Sequence, residues 1–190
     1  MKKRNLLFVL LLSMSLCLSA CGEKEHPIEE QQSKSAMETL SEQAEDRDKQ
    51  RAELIDKNKK DLKEEIVFST EVADIKIKSY SIITWTSLGE EQEQIYFIFD
   101  YCNKYTEETY YNQQIEMIAY QNGIEMSKAP YVGDYLGKNI RPETTIENKE
   151  AFIIEDKESD ILLKLTAYST SNGLRSSAYE ESAEYTIKIK

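Results

Sequence analysis

The sequence has few of the residues that carry metal, nucleophilic or redox chemistry. It contains 1 histidine and 3 cysteines among 190 residues, and the histidine, His26, lies near the N-terminus. A Ser–His–Asp or Cys–His arrangement, and a zinc site built on histidine, are therefore excluded from the chain beyond that point. The glycine-rich phosphate-binding motifs G-x-x-x-x-G-K-[ST] and G-x-G-x-x-G are also absent, which leaves nucleotide chemistry without support. We expect no cofactor and no metal.

Positive charge is also scarce. Lysine and arginine number 24 against 35 aspartates and glutamates, which gives a formal net charge of −11. Nucleic-acid phosphates are bound by basic surfaces, so this balance argues against a nucleic-acid partner. It also argues against direct adhesion to anionic lipid headgroups.

Residues 1–22 have the layout of an export signal. Lys2, Lys3 and Arg4 precede an apolar run over residues 6–18, and the basic head of such a signal stays inside the cell. As a helix the run reaches about 20 Å, which is short of the roughly 30 Å hydrocarbon core of a bilayer. The pattern therefore predicts a signal peptide over residues 1–20 and disfavours a stable transmembrane anchor.

A cysteine follows this run at the first position of the predicted mature chain, in Leu18-Ser19-Ala20-Cys21-Gly22. The stretch resembles the lipobox of bacterial lipoproteins. That resemblance implies acyl chains on the thiol and on the amine of Cys21, and two or three chains at about 0.8 kcal/mol per buried CH₂ give a stable anchor. It implies a protein held to the extracytoplasmic face of the cell membrane through lipid on Cys21. An ordinary secretory signal with a chance cysteine is the alternative.

The remaining cysteine use excludes an intrachain disulfide in the mature protein. Cys17 leaves with the signal and Cys21 is committed to lipid, so Cys102 alone remains. The fold must then be held by its core. Because Cys102 ends an apolar strand-like run, we interpret it as a packing residue, with a reactive thiol as the alternative.

The segment between the signal and the domain is highly charged. Residues 21–34 are predicted to form a flexible leader. Residues 35–65 lack glycine and proline and are rich in helix-favouring residues, so they are predicted to form a charged helical spacer. A heptad-like apolar start is interrupted by Arg47 and Arg51 at the next two seam positions, which disfavours a coiled coil. Oligomerisation through this helix is the alternative.

The periodicity then changes from helical to alternating. Several runs alternate apolar and polar residues or are continuously apolar, as strands are, and Gln121-Asn122-Gly123 is typical of a hairpin turn. About seven short strands predict an all-β fold, an immunoglobulin-like antiparallel β-sandwich over residues 66–190. The clearest strand-like runs are residues 75–78, 94–101, 115–120, 151–154, 161–166 and 185–190.

Part of this pattern resembles a known family. The residues concerned are 95–101, the turn Asn103-Lys104-Tyr105-Thr106, and residues 118–125, 140–145 and 151–154. Over roughly residues 70–170 they resemble the telokin-like, immunoglobulin-like domains of uncharacterised lipoproteins in Gram-positive bacteria. The resemblance implies a surface-attached sandwich and supplies no catalytic residues. The cysteine pair of antibody domains is missing, since only Cys102 lies in the domain and Trp85 precedes it.

Tyrosines in two connections are candidate binding residues. The chain has 12 tyrosines, and loop tyrosines provide contact area at a low entropy cost. The alternative is that they cap the ends of the sandwich core. The candidates are Tyr131 and Tyr135 in the connection over residues 124–142, and Tyr105, Tyr110 and Tyr111 in another.

Acidic residues give weaker signals. Asp156, Glu158 and Asp160 alternate as at the start of a calcium loop, but the sixth position lacks glycine and the twelfth lacks glutamate. A solvated turn is the preferred interpretation. The adjacent pairs Glu90-Glu91 and Glu107-Glu108 could serve glycoside hydrolysis only at a suitable separation, and such pairs occupy exposed turns by default.

Together these features predict a non-enzymatic domain displayed at the cell envelope, which binds an extracellular or envelope protein as an adaptor. An architectural or chaperone-like envelope component without a ligand pocket is the alternative. A carboxylate-based hydrolase is a third hypothesis, which would require two converging carboxylates in a cleft.

Overall fold

The computed structural model describes residues 28–87, 90–129, 138–171 and 174–189. Within these residues, the helices are α1 (Ile28–Lys57) and the single turn α2 (Tyr111–Gln114). The strands are β1 (Lys59–Ser69), β2 (Ala73–Ser87), β3 (Glu90–Asn103), β4 (Thr109–Tyr110), β5 (Ile115–Gln121), β6 (Ile124–Glu125), β7 (Asn139–Ile140), β8 (Thr145–Ile153), β9 (Ile161–Ser171) and β10 (Leu174–Ile187).

The strands form two four-stranded antiparallel sheets, which confirms the predicted β-sandwich. Sheet I has the order β1-β2-β3-β8 and sheet II the order β10-β9-β5-β6, and β4 pairs with β7 apart from both. In immunoglobulin terms, β2-β3-β8 corresponds to strands A-B-E and β10-β9-β5-β6 to strands G-F-C-C′. The hairpin partner β1 is an addition to that arrangement.

The core lies between the two sheets because alternate side chains of each strand point to one face. Sheet I contributes residues such as Phe97 and Phe99, and sheet II contributes Met117, Leu163 and Leu165 to the same buried cluster. The burial pattern of β5 alternates strictly between buried and half-buried positions. The sequence alternation thus becomes one inner face per sheet.

The central strand β3 is apolar on both faces, as its sequence predicts. Phe97 and Phe99 enter the main core, whereas Tyr96 and Ile98 belong to a second buried cluster on the opposite face of sheet I. That second cluster also contains Ile55 of α1. Sheet I is therefore covered on one face by sheet II and on the other by the end of a helix.

The prediction of a spacer helix over residues 35–65 needs correction. Helix α1 ends at Lys57 and β1 already begins at Lys59. The chain divides after Ala44, and the unit Glu45–Lys190 includes the last turns of α1. Ile55 is 0% exposed. The physical reason is that the pair of apolar residues at 54 and 55, although isolated among charges, meets apolar side chains on sheet I.

The arginines that interrupt the heptad pattern also contact the domain. The guanidinium carbons of Arg47 and Arg51 lie 5.8 and 4.9 Å from the ring centroid of Trp85 on β2. Arg47 further donates a hydrogen bond of 3.0 Å to the backbone oxygen of Thr86. A cation over a tryptophan face is attractive by about 0.5–2 kcal/mol. These residues therefore attach the helix to sheet I.

Two turns depend on particular asparagine and glycine residues. Asn122 and Gly123 have φ values of 54° and 79° in the β5–β6 hairpin, which confirms the turn expected there. Asn103 is fully buried, and its amide donates to the backbone oxygens of Glu107 and Ile140 at 3.0 and 2.9 Å. Asn103 thereby holds the connection after β3 against β7.

Cys102 lies near the end of β3 as a partly buried free thiol. Its neighbours in the sheet register are Asp74 on β2 and Thr145 on β8. The cysteine is therefore enclosed by two strands within sheet I and does not belong to the main core.

Candidate functional site

The predicted tyrosine-bearing loops do not form one site among the described residues. Tyr131 and Tyr135 lie outside the described ranges. Tyr111 is only 6% exposed and belongs to the main core, which agrees with the alternative that these tyrosines cap the core, and its role in binding stays a prediction. Tyr105 is partly buried and packs against the same core. Tyr110 is half-buried on β4, and its role in binding stays a prediction.

Tyr111 is buried because α2 turns its side chain between the sheets. Its ring centroid lies 5.4 Å from that of Phe99 and 5.3 Å from that of Tyr101. Burial raises the pKa of Tyr111 well above its ordinary value. The hydroxyl of Tyr101 donates a hydrogen bond to the side-chain oxygen of Gln114, and burial raises its pKa as well. These phenols serve the core as neutral groups.

A different surface, the outer face of sheet II, combines apolar and polar side chains. Most residues between the core-facing positions of β5 and β9 are half-buried, including Ile118, Tyr120 and Leu162. The register places Tyr120 beside Leu162 and Ile118 beside Lys164. On β10, Glu184 lies beside Lys164 and Thr186 lies beside Leu162. We call this surface the outer patch: Ile118, Tyr120, Leu162, Lys164, Glu184 and Thr186.

The outer patch borders a solvent-open depression of about 380 Å³. Tyr120, Leu162 and Lys164 lie along it, and Asn122 and Asp160 adjoin them at the end of the sheet. An apolar surface with a few polar groups placed around it is the usual composition of a binding site. The depression is shallow, which suits a surface contact better than an enclosed small molecule.

A loop organised by several hydrogen bonds lies beside the end of the depression. The Asp156 carboxylate accepts hydrogen bonds from the backbone amides of Glu158 and Ser159 at 2.8 and 2.6 Å. The Asn122 amide donates to the same carboxylate at 3.2 Å. The backbone hydrogen bonds from Ser159 and Glu158 are the main reason that the pKa of Asp156 is lowered to about 2. The carboxylate thus organises the turn and ties it to the β5–β6 hairpin.

The side chain of Gln121 reinforces that connection from the buried side. Its amide donates to the backbone oxygens of Asp156 and Ser159 at 2.9 and 3.3 Å, and its oxygen accepts from the amide of Glu155 at 3.1 Å. Across the described ranges no group of three or more histidine, cysteine or acidic side chains is arranged to hold a metal. The hydrogen bonds of Gln121 and Asp156 hold the acidic loop as a turn beside the outer patch.

The sequence contains a signal for the outer patch, which the prediction of tyrosine-bearing binding loops does not use. Strand β5 has Ile118 and Tyr120 at its outward positions, and β9 has Leu162. A strand that is apolar on both faces needs a second cover or offers an interaction surface. In β3 the second face is covered by α1. In sheet II the corresponding face borders the open depression.

The fold and the site together define a two-sheet antiparallel β-sandwich domain with an open, partly apolar depression on the outside of one sheet. The chain belongs to the family described as Domain of unknown function (DUF5067), whose model matches residues 45–167. The match begins at Glu45, the residue at which the larger structural unit also begins.

Other comparisons add little beyond the family. A solved structure described as that of a functionally unknown protein from Listeria monocytogenes EGD-e is similar, with a TM-score of 0.46 and 10% sequence identity. The similarity covers 70% of this chain and 88% of the Listeria chain. No curated protein matches the sequence. Of the helices in the described residues, none is long and apolar enough to cross a membrane.

Proposed function

We propose that this chain is a lipid-anchored binding protein of the bacterial cell envelope. It holds the sandwich domain outside the membrane through acyl chains on Cys21 and recognises an extracellular or envelope protein through the outer patch. The basic head, the short apolar run and the cysteine at position 21 support the anchor. The single observation that carries the binding role is the partly apolar outer face of sheet II beside an open depression.

The size of the apolar contribution supports this role. Ile118, Tyr120 and Leu162 are half-buried in the isolated chain, so a partner could remove their remaining surface from water. Complete burial of one such side chain contributes about 1.5–3 kcal/mol. Because each of these side chains already has most of its surface buried, the three together offer only about 1–3 kcal/mol to an interaction, which suits a weak, reversible contact.

A binding role without catalysis is proposed from the residue types. The chain has no histidine beyond His26, and the Asp156 carboxylate is already engaged in organising its turn. Adjacent acids such as Glu90 and Glu91 are exposed at the start of β3. These observations favour recognition over general acid–base chemistry.

The anchor is tested by replacing Cys21. We expect the native protein to partition with membranes and to carry fatty acid at Cys21 by mass spectrometry, and Cys21→Ala to lose both properties. Cys102→Ala is the matched control, because it removes the free thiol of the domain and leaves the predicted lipid site intact. Complete membrane partitioning of Cys21→Ala, without fatty acid on the native protein, would contradict the anchor.

The outer patch is tested by a paired comparison on intact cells. After chemical crosslinking, the double variant Tyr120→Ala/Leu162→Ala is expected to recover much less partner than the native protein. Val67→Ala is the control, because Val67 is an apolar side chain 56% exposed on β1 of sheet I. Equal recovery by the double variant would contradict the patch assignment. Absence of any saturable partner would favour the architectural alternative.

A further inference from the structure

Negatively charged side chains outnumber positively charged ones around the outer patch. Glu184 lies directly across from Lys164 in the register of β9 and β10, and Asp160 borders the same depression. Further carboxylates stand at outward positions of sheet II, and among the side chains that the structure describes there, Lys164 and, just beyond the end of β10, Lys188 are basic. The additional acidic residues of this face are Glu116, Glu125 and Glu180.

The charged groups nearest the depression are not paired with other groups of the domain. Among the described residues, the carboxylates of Asp160 and Glu184 form no hydrogen bond or ion pair, and the ammonium of Lys164 forms none either. Elsewhere on the surface comparable groups are paired, such as Lys157 with Glu93 at 2.5 Å. The patch therefore keeps both hydrogen-bond acceptors and a donor available.

We infer that the outer patch binds an extended cationic peptide segment in which an aliphatic or aromatic residue lies between lysines or arginines. This inference rests on the proposed binding function and names the chemistry of its partner. The central apolar side chain packs on Tyr120 and Leu162. The flanking cations approach the carboxylates of Asp160 and Glu184, while Lys164 donates to a backbone oxygen of the peptide.

Charge complementarity is the reason for choosing this occupant. An anionic segment would meet the carboxylates that surround Lys164, and like charges brought together are unfavourable. A neutral segment could use the apolar residues but would gain nothing from the exposed carboxylates of Asp160 and Glu184. A cationic segment with an apolar centre satisfies both parts of the surface.

The test uses three short probes with the full-length protein, isotopically labelled and held in non-ionic detergent. The probes are acetyl-Lys-Leu-Lys-amide, acetyl-Glu-Leu-Glu-amide and acetyl-Ser-Leu-Ser-amide, which share the central leucine and differ only in charge. Titrations are followed by the amide NMR signals of β5 and β9. We expect the lysine probe to bind at least roughly fivefold more tightly than the serine probe, and the glutamate probe more weakly, since two surface charge pairs can contribute that much.

Salt and substitutions make the assignment specific. Raising the salt to about 1 M, where the Debye length falls to about 3 Å, should remove most of the charge preference. Glu184→Lys should abolish the preference for the lysine probe, and Tyr120→Ala should weaken all the probes together. Glu147→Gln is the matched control, because Glu147 is an exposed carboxylate on β8 of sheet I, and it should change nothing.

Several outcomes would overturn the inference. Equal affinity for the three probes, or a preference for the glutamate probe, contradicts the cationic partner. Changes of the NMR signals that are confined to residues outside sheet II contradict the binding site. Binding of a chitin-type oligosaccharide at β5 and β9, with no peptide binding, replaces the peptide by a glycan. If the peptides fail while Tyr120→Ala/Leu162→Ala still loses its crosslinked partner, the inference fails and the proposed function stands.

Discussion

Replacing Ile55 by alanine tests whether the last turns of α1 are part of the folded domain. Ile55 is 0% exposed and packs in the cluster on the outer side of sheet I with Tyr96 and Ile98. The variant would remove a fully buried branched side chain and leave a cavity between the helix and the sheet. Alanine favours helix, so the helix itself would not be weakened.

The expected effect follows from the burial. Truncation of a buried isoleucine to alanine costs about 2–5 kcal/mol, depending on how far the site can collapse. A loss of about 3 kcal/mol corresponds to a decrease in Tm of roughly 6–12 °C for a protein of this size. Glu53→Ala is the matched control on an exposed position of the same helix, and it should stay within about 0.5 kcal/mol of the native stability.

The assay combines thermal unfolding with tryptophan fluorescence. The chain has 1 tryptophan, and Trp85 lies under the arginines of α1, so its emission reports docking of the helix. We expect Ile55→Ala to lower Tm and to shift the emission of Trp85 to longer wavelength. A variant with native Tm and native emission would show that the helix end is only a spacer, and the reasoning would be refuted.

Three further predictions concern local contacts. Arg51→Ala should shift the emission of Trp85 and destabilise the protein by about 0.5–2 kcal/mol through loss of the cation over the ring, as measured by fluorescence and urea unfolding; an unchanged spectrum would contradict the contact. The pKa of Asp156 is lowered to about 2 from an ordinary value of 3.8, so its stabilising contribution is complete above about pH 4 and is lost as the pH falls through about 2. Asp156→Asn should remove this part of the acid dependence of amide exchange at residues 158 and 159. A native acid profile in the variant would count against the prediction. Gly123 has φ of 79° with no atom within 4 Å of an added Cβ, so Gly123→Ala should cost about 1 kcal/mol from backbone strain alone; equal stability in urea would argue against the turn.

The strand pattern was predictable because it follows from side-chain alternation. Residues 94–101 are apolar on both faces, and the structure confirms a central strand with Phe97 on one side and Tyr96 on the other. The Asn122-Gly123 turn was predictable for the same local reason, since both residues tolerate positive φ.

The cover on the second face of β3 could not be read from the sequence. Ile55 and its neighbour Leu54 form a single apolar pair within a highly charged stretch, and such a pair carries no periodicity. Their burial depends on meeting Tyr96 and Ile98 across the chain, which is a tertiary contact. The helix therefore ends, and the strands begin, earlier along the chain than the sequence predicts.

The sequence does not show the direction of the candidate side chains, for a related reason. Tyr111 reads as a loop residue, yet α2 places its ring beside Phe99, and only the fold reveals that direction. The outer patch was visible as the outward residues of β5 and β9, including Tyr120. Sequence alternation shows that such a face is apolar, but it does not show whether another element covers it.

The central claim is that the protein recognises its partner through the outer face of sheet II. The most direct measurement places a photo-crosslinking amino acid at Tyr120 in the full chain on intact cells, and a second at Val67 on sheet I for comparison. The account predicts a discrete, saturable crosslinked species from position 120 and none from position 67. Equal crosslinking from both positions, or a discrete species from position 67 alone, would contradict it.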